Sequence, residues 1–380
     1  MPADAPPNQA PLLDRPLLRP HMPEMDSVRG IVILLVLFFH GMAPPLHADL
    51  SSGGKLLFSV SQYGWVGVNL FFVLSGFLIT GILLDGRSRT GSLRHFYVRR
   101  ALRILPALYA MLLVLLVGGW VSWPFVALGA LFLANYAPLV GVPLQYGPLW
   151  SLAVEEHFYM IWPWMVRRLP PRKLMFLLAA VVAATPAIRA LDFIMLGPPA
   201  DFVALYTWFN LDGLALGAML AVWLRWPGFR RGQLSRIAPP IFVAGALAFV
   251  LLFKALRWET VFSASALKLA FAGLVACMLL VGTSRWSGLV NQALLRFFGY
   301  ISYGLYLVHV LAFRLGEILL QRQFATLVAS GRSTSAMLLR FVSGGGLAIV
   351  LAYLSRRSLE EGFLRMGSST RSECGPAGAA

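Results

Sequence analysis

Stretch after stretch of this chain runs for roughly 20 residues with almost no charge, the length an α-helix needs to cross the hydrocarbon core of a bilayer. These stretches fall at about 28–45, 65–84, 104–121, 124–141, 150–166, 174–196, 203–224, 238–253, 264–283, 297–320 and 337–355. Of the 380 residues, 58% are hydrophobic and 13% charged, and the mean hydropathy is +0.72. A soluble domain carries about 25% charged residues. A fold this apolar would have no water-compatible surface. The expected fold class is therefore all-α, a polytopic membrane helical bundle.

The net charge of +16 would suggest nucleic-acid binding in a soluble protein. Here the basic residues sit between apolar spans, where they mark topology, and no nucleic-acid partner is expected. The clusters are Arg87 to Arg103, Arg167 to Lys173, Arg225 to Arg236, Arg285 with Arg296, and Arg356 to Arg365. The positive-inside rule places all of them in the cytoplasm. An even number of crossings must then separate Arg103 from Arg167, although three apolar stretches lie between them. The stretch 124–141, with Pro124, Asn135 and Pro138, reads as a re-entrant or half-span helix. About ten full crossings result, with both termini cytoplasmic and the chain in the cell's inner (plasma) membrane.

Residues 1–24 are rich in proline and lack the apolar run of a signal peptide. They are expected to be a disordered cytosolic lead-in, followed by a membrane domain at 25–357 and a cytosolic tail at 358–380. Cys277 and Cys374 are the only cysteines and imply neither a disulfide frame nor a metal site. The largest outer pieces are expected at 45–64 and 321–336. No Gly-rich Walker loop and no H-E-x-x-H zinc helix occurs. A nucleotide-driven pump and a membrane zinc protease are therefore disfavoured, and no metal is expected.

Ionisable groups inside spans are costly and usually mark a pathway or a site. His40 ends the run Ile31 to Phe39 and follows Arg29 by eleven positions, roughly 16 Å along a helix. A neutral imidazole there suits a general base, and it equally suits a histidine bonded at a helix end. Glu155 and Glu156 are adjacent in an apolar stretch. They point about 100° apart on a helix, so at most one faces His40 squarely. Glu155 could orient the imidazole; the alternative is an interfacial helix with its acids in water. Arg100 and Arg103 are i, i+3 neighbours beside Arg99. They are a topology signal, and guanidinium forks also suit phosphate oxygens. Ser75 has no nucleophile elbow around it and reads as a packing residue. Asp212 and His309 suit either a cavity wall or hydrogen-bonded packing.

Taken in order along the chain, these motifs resemble acyltransferase family 3, integral membrane O-acyltransferases of bacterial surface polysaccharides and related acceptors. The likeness runs from about Pro23 to Glu361. Asp26–Gly30 leading to His40 resembles the family's opening helix, and Gly67–Ile79 its second, with Asn69 where Asp is frequent. Phe96–Pro106 is similar to the family's basic Arg-x-x-Arg segment. Trp150–Tyr159 is similar to its Trp-Ser-Leu and Glu stretch, with His157 where Gln is usual. Weaker echoes are Asp212–Leu214, where Asn210 replaces a frequent Arg, and Tyr300 to His309.

The resemblance implies His40 as catalytic base, with Arg29, Arg100 and Arg103 as required arginines. It implies an acyl-CoA donor, expected to be acetyl-CoA, entering from the cytosol. The acceptor is expected to be a carbohydrate or glycolipid at the membrane, and nothing in the reading requires a metal. No esterase-like stretch follows the last span, so the expectation is the short, stand-alone form. The rival reading is a transporter or flippase for an acylated sugar or lipid, which mid-depth polar groups also suit. The lack of an inverted repeat weakens it. A membrane glycosyltransferase ranks last, because Asp49 is the only early acid in an outer loop.

Overall fold

In hydrocarbon every backbone N–H and C=O must be satisfied within the chain, which leaves helices as the form for long apolar runs. The computed structural model describes residues 16–45, 49–196, 205–255 and 259–362. Among these residues there are helices and no strands. They are α1 (Pro23–Gly41), α2 (Ser52–Ser61), α3 (Val66–Asp85), α4 (Ser92–Val117), α5 (Trp123–Ala130), α6 (Leu149–Arg168) and α7 (Pro171–Leu196). There follow α8 (Leu211–Trp223), α9 (Arg231–Ala255), α10 (Glu259–Gly282), α11 (Ser287–Val290), α12 (Ala293–Leu319), α13 (Gln321–Ala329) and α14 (Ser333–Ser355). Most of the expected lead-in and tail, 1–15 and 363–380, lies outside the described residues. Ahead of α1, Leu17 is already buried in the core and Arg19 pairs with the buried Glu24.

Seven stretches of the described chain are long and apolar enough to cross a membrane: Ser52–Asp85, Ser92–Val117, Pro171–Met195, Arg231–Phe253, Val261–Gly282, Ser287–Leu319 and Ser333–Leu359. The expectation of about ten thus meets seven that satisfy both criteria. The difference has a physical origin. Helices α1 and α6 have 19 and 20 residues, but they carry Glu24, Asp26 and Arg29, and Glu155, Glu156, Arg167 and Arg168. Helix α8 has 13 residues, roughly 20 Å at 1.5 Å per residue.

The stretch 124–141 contains no crossing helix. It folds as the eight-residue α5 and a 3₁₀ turn at Ala134–Val140. Phe132 joins the two at φ 58°, in the left-handed region that side chains rarely adopt. The outer pieces expected at 45–64 and 321–336 contain the short helices α2 and α13. Ser51, just before α2, donates its backbone N–H to Thr334 Oγ1 at 3.0 Å.

Two glycine seams set the bundle's geometry. Without a hydrophobic drive between helices in lipid, small residues let backbones approach and pack. A Cβ on Gly76 of α3 would stand 2.0 Å from Leu214 O of α8, and one on Gly217 of α8 would stand 1.9 Å from Val73 O of α3. The second seam joins α1 to α12. There a Cβ on Gly30 would stand 2.0 Å from Leu295 O, and one on Gly299 would stand 2.0 Å from Asp26 O. Backbone oxygens cannot swing away, so Gly76→Ala and Gly217→Ala should each cost about 1–3 kcal/mol of stability. A thermal unfolding midpoint in detergent that matched the parent protein would contradict so close a seam.

Candidate functional site

The α1–α12 seam carries two histidines to the same height. His40 lies ten residues past Gly30 (40 − 30), and His309 lies ten past Gly299 (309 − 299). Helices α1 and α12 run parallel, so their rings meet, with centroids 4.8 Å apart. His309 is fully buried and His40 half-buried. His309 Nε2 stands 3.3 Å from His40 Nδ1. His40 Nδ1 also stands 3.0 Å from Val36 O, one turn back on its own helix. The α1 end is closed from α14, where Arg340 donates to His40 O and, at 2.9 Å, to Gly41 O.

His40 opens onto a cavity of about 330 Å³, with Trp65, Asn69, Trp150, Asn210 and Tyr306 in its wall. A second cavity of about 1120 Å³ lies at the other end of the same helices, lined by Arg29, Arg99, Arg100, Arg103, Arg225 and Arg356. On α1 the lining passes from Arg29 to Val36, and on α3 from Phe77 to Asn69. At 1.5 Å per residue the cavities are separated by a layer roughly 10–12 Å thick.

The layer between them is polar. Arg100 crosses from α4 to Glu156 of α6, with Nε 3.1 Å from both carboxylate oxygens, and lies 3.6 Å over the Tyr159 ring. Glu155 accepts from Tyr159 Oη at 3.2 Å, and Ser75 lies beside it. Tyr306 bonds Ser151 and stacks on Phe71.

The geometry sorts the residues singled out from sequence. His40 faces a cavity, and Arg29 and Arg103 line the basic one. Arg100 also lines the basic cavity, but its guanidinium is held by Glu156 rather than sharing an open face with Arg103. Glu155 is not the imidazole's partner. It is turned toward Ser75 and Tyr159, and the histidine meets His309 and Val36 O instead. The sequence showed two acids about 100° apart but not which neighbouring helix would claim each one.

Arg189 and Lys268, which line the His40 cavity, belong to a further buried charge cluster. Asp212 at the start of α8 accepts from Lys268 Nζ at 2.7 Å, from Ser265 Oγ at 2.6 Å, and from Arg189. Asp212 is fully buried, and Lys268 and Arg189 are 1% and 8% exposed. Lys268 Nζ also reaches Phe209 O at 3.4 Å and Asn210 Oδ1 at 3.5 Å. Sequence reasoning missed Arg189 and Lys268, although the signal was present. Lys268 is the lone charge within 264–283, and the rule that intramembrane charges mark sites applies to it directly.

A family model described as an acyltransferase domain, that of acyltransferase family 3, matches residues 22–357. The peptidoglycan O-acetyltransferase OatA of Listeria monocytogenes is 32% identical over 164 residues, 38% of this chain and 24% of that protein. YrhL of Bacillus subtilis, provisionally named a peptidoglycan O-acetyltransferase, is 28% identical over 319 residues, 76% of this chain and 48% of its own. A provisionally named O-acetyltransferase of Staphylococcus aureus (strain MSSA476) is 28% identical over 327 residues, 76% of this chain and 50% of its own. The chain thus spans about half the length, or less, of these curated relatives. No solved structure matches it significantly.

Proposed function

Since the chain belongs to acyltransferase family 3, whose model covers residues 22–357, we propose that it transfers an acetyl group from acetyl-CoA to a hydroxyl of a carbohydrate-containing acceptor. The observation that carries this reading is a single helix, α1, joining an arginine-lined cavity at Arg29 to a histidine-lined one at His40. The names of OatA and YrhL support a cell-wall glycan as acceptor.

In this reading the basic end faces the cytosol, as the positive-inside rule directs, and α1, α6 and α8 complete about ten crossings. Both termini are then cytoplasmic. The pyrophosphate and 3′-phosphate of the donor dock among Arg29, Arg99 and Arg103, where guanidinium forks match phosphate oxygens. Arg100 stays with Glu156 and ties α4 to α6. The pantetheine arm enters the layer beside Ser75, Glu155 and Tyr159, which parts to admit it. His40 Nε2 takes the proton of the acceptor hydroxyl as general base. The hydroxyl oxygen attacks the thioester carbonyl carbon, and a C–O bond forms. The tetrahedral intermediate collapses with cleavage of the C–S bond, and the proton on His40 passes to the CoA sulfur. The products are the acetyl ester and free CoA.

The test uses purified protein in proteoliposomes with acetyl-labelled CoA and a peptidoglycan fragment. Acceptor-dependent release of CoA with label in the glycan is the expected result. Label moving across the bilayer without CoA release would identify a transporter instead. The donor site makes its own prediction. Arg29→Ala and Arg103→Ala should each raise the KM for acetyl-CoA about tenfold, as expected for loss of a charge-assisted hydrogen bond. Unchanged KM values in both variants would move the phosphates elsewhere.

A further inference from the structure

The hydrogen bonds around the two histidines admit one arrangement of protons. His309 Nδ1 stands 2.7 Å from Tyr306 O and 3.2 Å from Leu305 O. Carbonyl oxygens only accept, so His309 Nδ1 carries its proton and its Nε2 presents a lone pair. That lone pair faces His40 Nδ1 at 3.3 Å, and Val36 O faces the same atom at 3.0 Å. Two acceptors converge on His40 Nδ1, so it too carries a proton, which the two share. The opposite tautomer would set a lone pair against a carbonyl oxygen in both rings. The remaining nitrogen of His40, Nε2, is then the unprotonated one.

We propose that His309 is a positioning residue that fixes His40 as the Nδ1–H tautomer, so that the Nε2 lone pair is the one available as base. The catalytic half of this inference rests on the function proposed above; the tautomer itself does not. The arrangement also serves the charged intermediate. When His40 Nε2 takes up a proton, the imidazolium keeps both acceptors, Val36 O and His309 Nε2, on its other side. A hydrogen bond to a group that becomes charged strengthens in the transition state and so raises kcat rather than affinity. This is the orienting role expected of Glu155 from sequence, supplied here by a neutral group on a different helix. Neutrality is required by the surroundings. His309 is fully buried, and Arg340 from α14 brings its positive charge to the carbonyls of His40 and Gly41.

Three measurements test it. In the unaltered protein reconstituted in membranes at pH 8, nitrogen-15 spectra of the histidines should show His40 protonated at Nδ1 and bare at Nε2. The reverse assignment overturns the proposal, whatever the protein's activity. In turnover, His309→Leu removes the acceptor, and kcat should fall on the order of ten- to a hundredfold with the KM for acetyl-CoA within twofold. His309→Gln places a carbonyl oxygen near the lost Nε2 and should restore most of that rate. A fall of less than threefold in the leucine variant overturns the proposal, as does a glutamine variant that falls equally far. Should the leucine variant fail to insert, His309→Met takes its place under the same criteria. If the unaltered protein transfers no acetyl group to the glycan, the functional reading fails on its own, and the nitrogen spectra still decide the tautomer.

Discussion

His40→Ala is expected to lower acetyl transfer by about 10²–10⁴-fold, the usual contribution of a positioned general base, without disturbing the fold. The second half of that statement is what makes the variant informative. His40 sits in the last turn of α1, whose packing rests on Met25, Val28, Val32, Ile33, Val36 and Leu37, each under 5% exposed. The imidazole contributes bonds to Val36 O and His309. Once it is gone, His309 keeps its own bond to Tyr306 O, and Arg340 still closes the helix end through backbone carbonyls. The lost atoms border a cavity rather than a packed interior, so the penalty for an empty space is small. The expected outcome is therefore a variant with parental detergent stability and acetyl-CoA affinity, and a collapsed kcat. Activity within tenfold of the parent would remove His40 from the mechanism.

Asp212→Ala should produce the largest loss of stability, about 3–5 kcal/mol, because it strands two cations. Among the described residues Asp212 is the carboxylate that holds both Lys268 Nζ and Arg189, and Ser265 donates to it as well. With one acid and two bases the trio carries a net +1, and removing the carboxylate leaves +2 on two almost wholly buried side chains. Breaking a buried ion pair from one side is strongly destabilising for this reason. The asymmetry supplies the control. Lys268→Met leaves Asp212 paired with Arg189 and should cost distinctly less. The double variant Asp212→Asn with Lys268→Met should recover part of the loss, since the surviving arginine then faces no second cation. Unfolding midpoints of the three proteins in one detergent measure the difference. An Asp212→Ala protein as stable as the Lys268→Met protein would mean that the cluster is hydrated or otherwise paired. Because its partners Arg189 and Lys268 line the His40 cavity, the destabilised variant should also lose acceptor turnover.

Much of the candidate site is legible in the sequence. An imidazole at the end of an apolar run, a basic segment at the mouth of another and two carboxylates inside a third are each conspicuous, because lipid tolerates so few of them. What the linear reading lacked was pairing. Glu155 was the natural candidate to orient His40, being an acid in an apolar stretch, yet it turns to Ser75 and Tyr159. His309, which suited packing as readily as a cavity, takes that place because Gly30 and Gly299 let α1 and α12 touch. Arg100 and Arg103 share a helix face in sequence, but Glu156 claims the first of them.

Composition and the spacing of apolar runs determined by themselves that the chain is a helical membrane bundle, since a bilayer leaves long apolar backbone almost no alternative. They also determined which side chains are costly to place in lipid. Tertiary structure decided the partners of those side chains and set the His40 cavity apart from the arginine-lined one. The physical reason is that solvation cost is a property of each residue and can be read one position at a time. Hydrogen bonds and ion pairs depend on the rotation and height of two helices at once, and close contacts at a few glycines set both.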